Sequence, residues 1–202
     1  MVEYFNSKAK DWDKENYRIE RAKAVAEEIK NAIIINNSMS VADFGCGTGL
    51  LGFHFINIAR EVVFIDSSEE MLNQVVQKAK TMNTENYRIL AKPEVDHYNK
   101  YDLIINLMVF HHINNVEETI SQLIGQLKKS SYFAFFDLDS EDGSFHGEDI
   151  VPHNGFKREY IRKIFANNSL SIILEKQVFV NKKIIDGKEK NYPVFLMIGK
   201  CA

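Results

Sequence analysis

Apolar positions along the chain follow two rhythms. Ala22, Ala26, Ile29 and Ile33 recur at helical spacing and predict a helix over residues 19–35. Short apolar runs then alternate with helical patterns. Residues 39–44, 61–66, 87–90, 101–107 and 132–138 read as strands, and the fourth suits a strand buried on both faces. Residues 50–59 read as a helix between the first two strands. Met71, Val75, Ala79 and Met82 mark another, with a capping-box pattern at Ser67 and Glu70. Val116, Ile120, Leu123 and Leu127 mark the helix before the fifth strand. After residue 138 the rhythm changes. Residues 139–155 are polar and long enough for a functional loop. Phe156, Tyr160, Ile164 and Phe165 then predict a helix. Residues 170–180 and 192–200 are strands flanking a polar tip with Asp186-Gly187, a hairpin whose connection is longer than a tight turn. Repeating βα units followed by a hairpin predict an α/β fold whose mostly parallel sheet carries one antiparallel strand.

Sheets of this kind bind ligands beyond the carboxyl ends of their strands. Residues 43–49, Asp66, residues 106–112 and residues 137–147 all fall at such ends. The richest is Asp43-Phe44-Gly45-Cys46-Gly47-Thr48-Gly49, where an acid closes a strand and glycines follow. Glycine lets a ligand approach the main chain, and free N–H groups at a following helix start favour negative charge. A literal GxGxxG spans Gly47, Gly49 and Gly52, which taken alone suggests a dinucleotide. The register argues otherwise, because Gly45 and Cys46 come first and Asp43 would repel a pyrophosphate. A carboxylate there suits a ligand with an ammonium group, such as S-adenosylmethionine. Asp66, at the next strand end, is placed to accept from both ribose hydroxyls.

Composition narrows the picture. The 202 residues suffice for one domain with a full core, and the 45% apolar and 26% charged fractions are those of a globular chain. A net charge of −3 with scattered cations steers nothing toward nucleic acid or an anionic membrane. Two cysteines, Cys46 and Cys201, make no disulfide framework and no CxxC metal pattern, which favours the cytoplasm. No apolar run reaches the ~20 residues of a membrane span, and the first residues lack the pattern of a signal peptide.

The glycine segment resembles the first motif of the class I S-adenosylmethionine-dependent methyltransferases. Phe64-Ile65-Asp66-Ser67-Ser68-Glu69-Glu70-Met71-Leu72 is similar to their second motif. Tyr101-Asp102-Leu103-Ile104-Ile105-Asn106 with Phe110-His111-His112-Ile113 resembles the fourth-strand motif of their small-molecule branch. Phe5-Asn6-Ser7-Lys8-Ala9-Lys10-Asp11-Trp12-Asp13 is similar to the opening segment of the ubiquinone/menaquinone-type branch, where it lids the cofactor. The resemblance implies a single domain over residues 1–202, with a helical lid at 1–36 and an α/β core at 37–202. The implied fold is Rossmann-like: a doubly wound, seven-stranded sheet with its last strand inserted antiparallel.

The resemblance also implies where S-adenosylmethionine binds. The candidates are Asp43, Gly45, Cys46, Gly47 and Gly49, then Asp66, Ser67 and Met71, then Asn106 and Leu107, with Trp12 from the lid. The family often has an acid after strand three that accepts from the adenine amino group. Here Leu90-Ala91-Lys92-Pro93 stands in that place, leaving backbone and apolar contacts such as Met71. His111, His112 and His146 are the catalytic candidates, as imidazoles that titrate near neutrality. The loop carrying Asp139, Glu141, Asp142, His146, Glu148 and His153 reads as a solvated polar loop rather than a metal site, with His146 and His153 facing substrate. Trp12 and Tyr17 are placed either in a lid or in ordinary helix packing.

The expected acceptor is a small molecule, and the expected assembly a monomer or homodimer. After Asn106 there is no Pro-Pro-aromatic sequence of the kind DNA amino-methylating enzymes use, and there is no Pro-Cys nucleophile. Two other readings stand: a protein that binds the cofactor without catalysis, and an NAD-linked oxidoreductase on a similar sheet.

Overall fold

The computed structural model describes residues 2–92, 100–147 and 149–202. Pro93 and Glu148, singled out above, lie outside the described residues. Seven strands run in the order β3-β2-β1-β4-β5-β7-β6. They are β1 (Ser40–Phe44), β2 (Glu61–Ile65), β3 (Tyr87–Leu90), β4 (Tyr101–Asn106), β5 (Leu127–Leu138), β6 (Leu170–Ile185) and β7 (Lys188–Cys201). The first five pair in parallel, and β7 inserts antiparallel between β5 and β6.

Alternation along the central strands sends side chains to both faces. Ala134 and Phe136 of β5 join Val41, Phe64 and Leu103 on one face. Phe133 and Phe135 join Ala42, Val63 and Ile104 on the other. The first face is covered by α2 (Asn16–Ala32), the segment after β1 and α3 (Glu69–Thr81). The second is covered by α4 (Val116–Ile124) and α5 (Arg158–Asn167). Ahead of α2, helix α1 (Val2–Lys8) and a 3-10 segment (Ala9–Lys14) pack on α3.

Several elements differ from the sequence reading. The helix expected over residues 50–59 is a chain of turns around one 3-10 turn, Gly52–His54. Its backbone bonds mix i−3 and i−4 acceptors. Gly52 lies so close to the Phe64 ring and the Asp43 carboxylate that a Cβ there would stand 2.4 Å from the ring. Tight docking against β2 has replaced a regular helix. The cap of α3 is Ser68, whose Oγ accepts from the Met71 N–H at 3.2 Å, not Ser67. The shift follows from Asp66, which takes the Ser68 N–H. Leu127 opens β5 rather than closing α4, and Phe156 precedes α5 in an isolated bridge to Asp139.

The terminal hairpin is longer than expected and its tip shorter. Asp186 (φ 49°) and Gly187 (φ 74°) alone join β6 to β7. Two successive left-handed residues give the turn whose twist matches antiparallel strands, so pairing continues through the polar Lys182 and Lys183.

Candidate active site

The glycine loop leaves β1 at Phe44 and crosses toward β2. Cys46 N–H donates to Ile65 O, and Gly45, Gly47 and Gly49 all have positive φ, at 64°, 53° and 82°. A Cβ on Gly45 would meet both Val109 methyls at 2.5 Å, so the loop is folded for glycine there twice over. Asp43 lies fully buried beneath the loop, and its Oδ2 accepts the Gly52 N–H at 2.9 Å. Burial, with Asp66 nearby, pushes its carboxyl up to about 8. Through its bond to Gly52, Asp43 orients the loop from below. Its Oδ1 has no hydrogen-bond partner.

Asp66 is tied to the same loop. Its Oδ2 accepts from Gly47 N–H at 2.8 Å and its Oδ1 from Ser68 N–H at 2.8 Å. Burial raises its pKa, and these bonds oppose the rise. Ser67 is exposed, whereas Met71 is buried with its Sδ near Gly47. The Cys46 thiol is buried and pushed well up by burial, so it is inert filler. Asn106 is committed elsewhere: its amide bridges to the Phe136 backbone, donating at 2.9 Å and accepting at 3.3 Å, and so locks β4 to β5. Leu107 is half-buried against the core.

The ends of β4 and β5 assemble a second constellation. Met108, with φ 60°, turns the chain out of β4 into a 3-10 turn, Phe110–His112. Asp137, at the end of β5, anchors that turn. Its Oδ2 accepts from Phe110 N–H at 2.8 Å, and its Oδ1 lies 2.5 Å from His111 Nδ1. Burial alone would raise the Asp137 pKa, but His111 and the backbone donors outweigh it and hold the carboxyl low. With Nδ1–H donating to this carboxylate, His111 directs Nε2 away from it.

His112 and His146 complete the cluster. The ring centroid of His111 lies 4.0 Å from that of His112 and 4.9 Å from that of His146. Burial, reinforced by His111, holds His112 at about 3 and His146 at about 4. Both imidazoles are therefore neutral at physiological pH: weak bases with available lone pairs. His112 Nδ1 and His146 Nε2 are buried without a hydrogen-bond partner. His153, expected beside His146, turns away and places Nε2 2.9 Å from Ile113 O. In the same loop Asp139 pairs with Arg158, Glu141 accepts from Gly143 N–H, and Asp142 pairs with Lys190.

One segment spans both constellations. Phe5 packs edge-on to Trp12 at 5.8 Å and to His112 at 5.3 Å, while Trp12 Nε1 lies beside Gly47. Thr48 Oγ1 donates to Asp13 Oδ1 at 2.6 Å, and Lys78 pairs with Asp13. Ser68 Oγ donates to Asn6 Oδ1 at 2.6 Å. Arg18 stacks over the Trp12 ring at 3.8 Å, and the exposed Tyr17 accepts from its Nε. The roles of Asn6, Asp13 and Asp137 here were not read from the sequence. Asn6 and Asp13 stood out only as members of the opening segment, and only the strand-end position of Asp137 marked it.

This strand order, with a glycine loop after β1 and an acid closing β2, defines a class I S-adenosylmethionine-dependent methyltransferase. A family model described as a methyltransferase domain matches residues 17–177, and the chain belongs to that family. Among curated proteins the chain is 29% identical over 154 residues to an uncharacterized methyltransferase of Schizosaccharomyces pombe, covering 67% of this chain and 54% of the relative. It is 27% identical over 114 residues to a ubiquinone biosynthesis O-methyltransferase of Rickettsia bellii, covering 56% of this chain and 45% of that protein. The chain thus spans about half the length of these curated relatives. Among solved structures, a SAM-dependent methyltransferase from Aquifex aeolicus matches with a TM-score of 0.73 and 20% identity over 98% of each chain. The expected seven-stranded, Rossmann-like fold is the fold found. S-adenosylmethionine is the cofactor of this class. No helix among the described residues is long and apolar enough to cross a membrane.

Proposed function

We propose that the protein transfers a methyl group from S-adenosylmethionine to a small-molecule acceptor by in-line displacement. The observation that carries this reading is the shared cover. One N-terminal segment packs on the glycine loop through Trp12 and Asp13 and on the imidazole cluster through Phe5. A cofactor seated along the glycine loop, with its ribose on Asp66, directs its methyl group toward those imidazoles. The adenine lies near Met71, and residues 1–36 act as a lid on the 37–202 core of a single domain.

In the reaction the acceptor's O, N, S or C atom forms a bond to the methyl carbon. The carbon–sulfur bond breaks, and sulfur keeps its electron pair as S-adenosylhomocysteine forms. The sulfonium is already activated, so the protein mainly aligns the reactants and excludes water. His111, His112 and His146 line the acceptor side and orient its nucleophilic atom. A reducing cytoplasm suits the two free cysteines, and the chain acts as a monomer or homodimer.

The test is transfer of tritium from S-adenosyl-[methyl-3H]methionine to a panel of phenols, amines, thiols and carbon acids. Label on any acceptor, lost in His111→Ala, is the expected result. Tight S-adenosylhomocysteine binding with no transfer to any acceptor would favour a cofactor-binding protein. Binding of NADH without S-adenosylhomocysteine would favour an oxidoreductase.

A further inference from the structure

We infer that His111, His112 and His146 together hold a divalent first-row transition metal ion, of the zinc or cobalt type, at the acceptor end of the site. This deepens the reading above, on which its catalytic role rests, by naming how the acceptor is activated. It also departs from the sequence reading, which expected no metal.

Three independent features converge. First, each histidine offers one nitrogen, and the three atoms lie within 4.8 Å of one another. Nitrogens around a tetrahedral ion with bonds of about 2.0–2.1 Å stand about 3.3 Å apart, so modest ring rotations close the cluster. Second, His112 Nδ1 and His146 Nε2 are buried with no hydrogen-bond partner. A buried polar atom without a partner is costly, and two on rings whose centroids lie 5.3 Å apart point to a shared occupant. Third, the remaining ligand has the support that metal-bound imidazoles usually have. Asp137 accepts from His111 Nδ1–H, which fixes the tautomer and leaves Nε2 to ligate.

The donor set selects the metal. Three imidazoles suit Zn2+, Co2+, Fe2+ or Ni2+ rather than Mg2+ or Ca2+, which prefer oxygen. Three protein ligands leave a position open, as in catalytic sites. An acceptor hydroxyl or thiol entering it would lose its proton to solvent water more readily, and the resulting anion attacks the methyl carbon. His146 comes from a loop separate from the 3-10 turn Phe110–His112, so the ion would also fasten that loop over the acceptor.

The experiment titrates the purified, chelator-treated protein with Co2+ alone, followed by visible absorption, then with competing Zn2+. One equivalent of Co2+ giving ligand-field bands, displaced by Zn2+, is expected. His112→Ala and His146→Ala should each lose at least tenfold in affinity, and Asp137→Asn about 10–100-fold. Cys46→Ser and His153→Ala should bind as the parent does, which excludes other ligands. Circular dichroism and S-adenosylhomocysteine titration show whether each variant is folded and its cofactor site intact. Should His146→Ala prove misfolded, the milder His146→Gln takes its place. Absence of stoichiometric binding, or unaltered binding in folded His112 and His146 variants, would overturn the site. Either outcome leaves the methyl-transfer assay to stand or fall separately.

Discussion

Replacing Asp66 with alanine tests the cofactor seat at the point where structure and chemistry meet. The carboxylate accepts from Gly47 N–H and Ser68 N–H, both at 2.8 Å, and so joins the glycine loop to the start of α3. Truncation removes both acceptors. Water can replace part of what is lost because the group is only partly buried. A stability loss of about 1–2 kcal/mol is therefore expected, at the low end for charged hydrogen bonds. The ribose hydroxyls lose their acceptor as well, which adds at least ~1.5 kcal/mol to binding, or roughly tenfold in Kd. Isothermal titration with S-adenosylhomocysteine reads this directly, with thermal melting as the folding control. Asp66→Asn should fall between parent and alanine variant, because its amide oxygen still accepts. Burial raises the Asp66 pKa, so parent affinity should begin to fall above the usual carboxylate range as the solution is acidified. An alanine variant within about twofold of the parent would refute the ribose assignment.

Asp43 supplies a pH test of its buried seat. With its folded pKa near 8, against 3.8 for an ordinary aspartate, the folded protein holds a proton between those limits that the unfolded chain releases. Its contribution thus favours folding at low pH and is lost as pH rises toward about 8. Asp43→Asn keeps an acceptor for Gly52 N–H but cannot titrate. The melting temperature of the parent minus that of the variant should fall as pH rises through this window, and parallel melting curves would exclude the effect. Gly45→Ala forces a left-handed alanine, at about 1–2 kcal/mol, and drives its Cβ into Val109. Thermal melting should show that adding Val109→Ala recovers part of the loss, whereas no recovery would mean the clash is relieved in another way. Asp13→Asn loosens the segment over the loop by removing its pairing with Lys78. Stopped-flow release of S-adenosylhomocysteine should quicken by roughly fivefold, the equivalent of about 1 kcal/mol. An unchanged rate would separate this segment from cofactor retention.

The parallel half of the fold was legible because its signals are local. Apolar runs closing on Asp43, Asp66 and Asn106 marked strand ends, and the glycine register marked the loop between them. The misread parts depend on partners distant in sequence. Residues 50–59 carry a helical composition, but Gly52 must fit between Phe64 and Asp43, and only the fold brings those together. Asn106 was marked by its strand end, but nothing local showed that its side chain bonds to β5. The two-residue hairpin tip lay in the Asp186-Gly187 dipeptide, but the polar flanking residues concealed strands that pair edge to edge. His146 stood out as a histidine in a loop after a strand. Its neighbours His111 and His112 lie more than thirty positions earlier, and no local spacing links them.

The central claim is that cofactor and acceptor meet between the glycine loop and the imidazole cluster. A crystal structure with S-adenosylhomocysteine tests it most directly. The expected structure has ribose hydroxyls on Asp66, the methionine portion along Gly45–Gly49, and sulfur facing His111, His112 and His146 beneath Phe5 and Trp12. Sulfur directed away from those imidazoles, or a ribose held by a group other than Asp66, would contradict it.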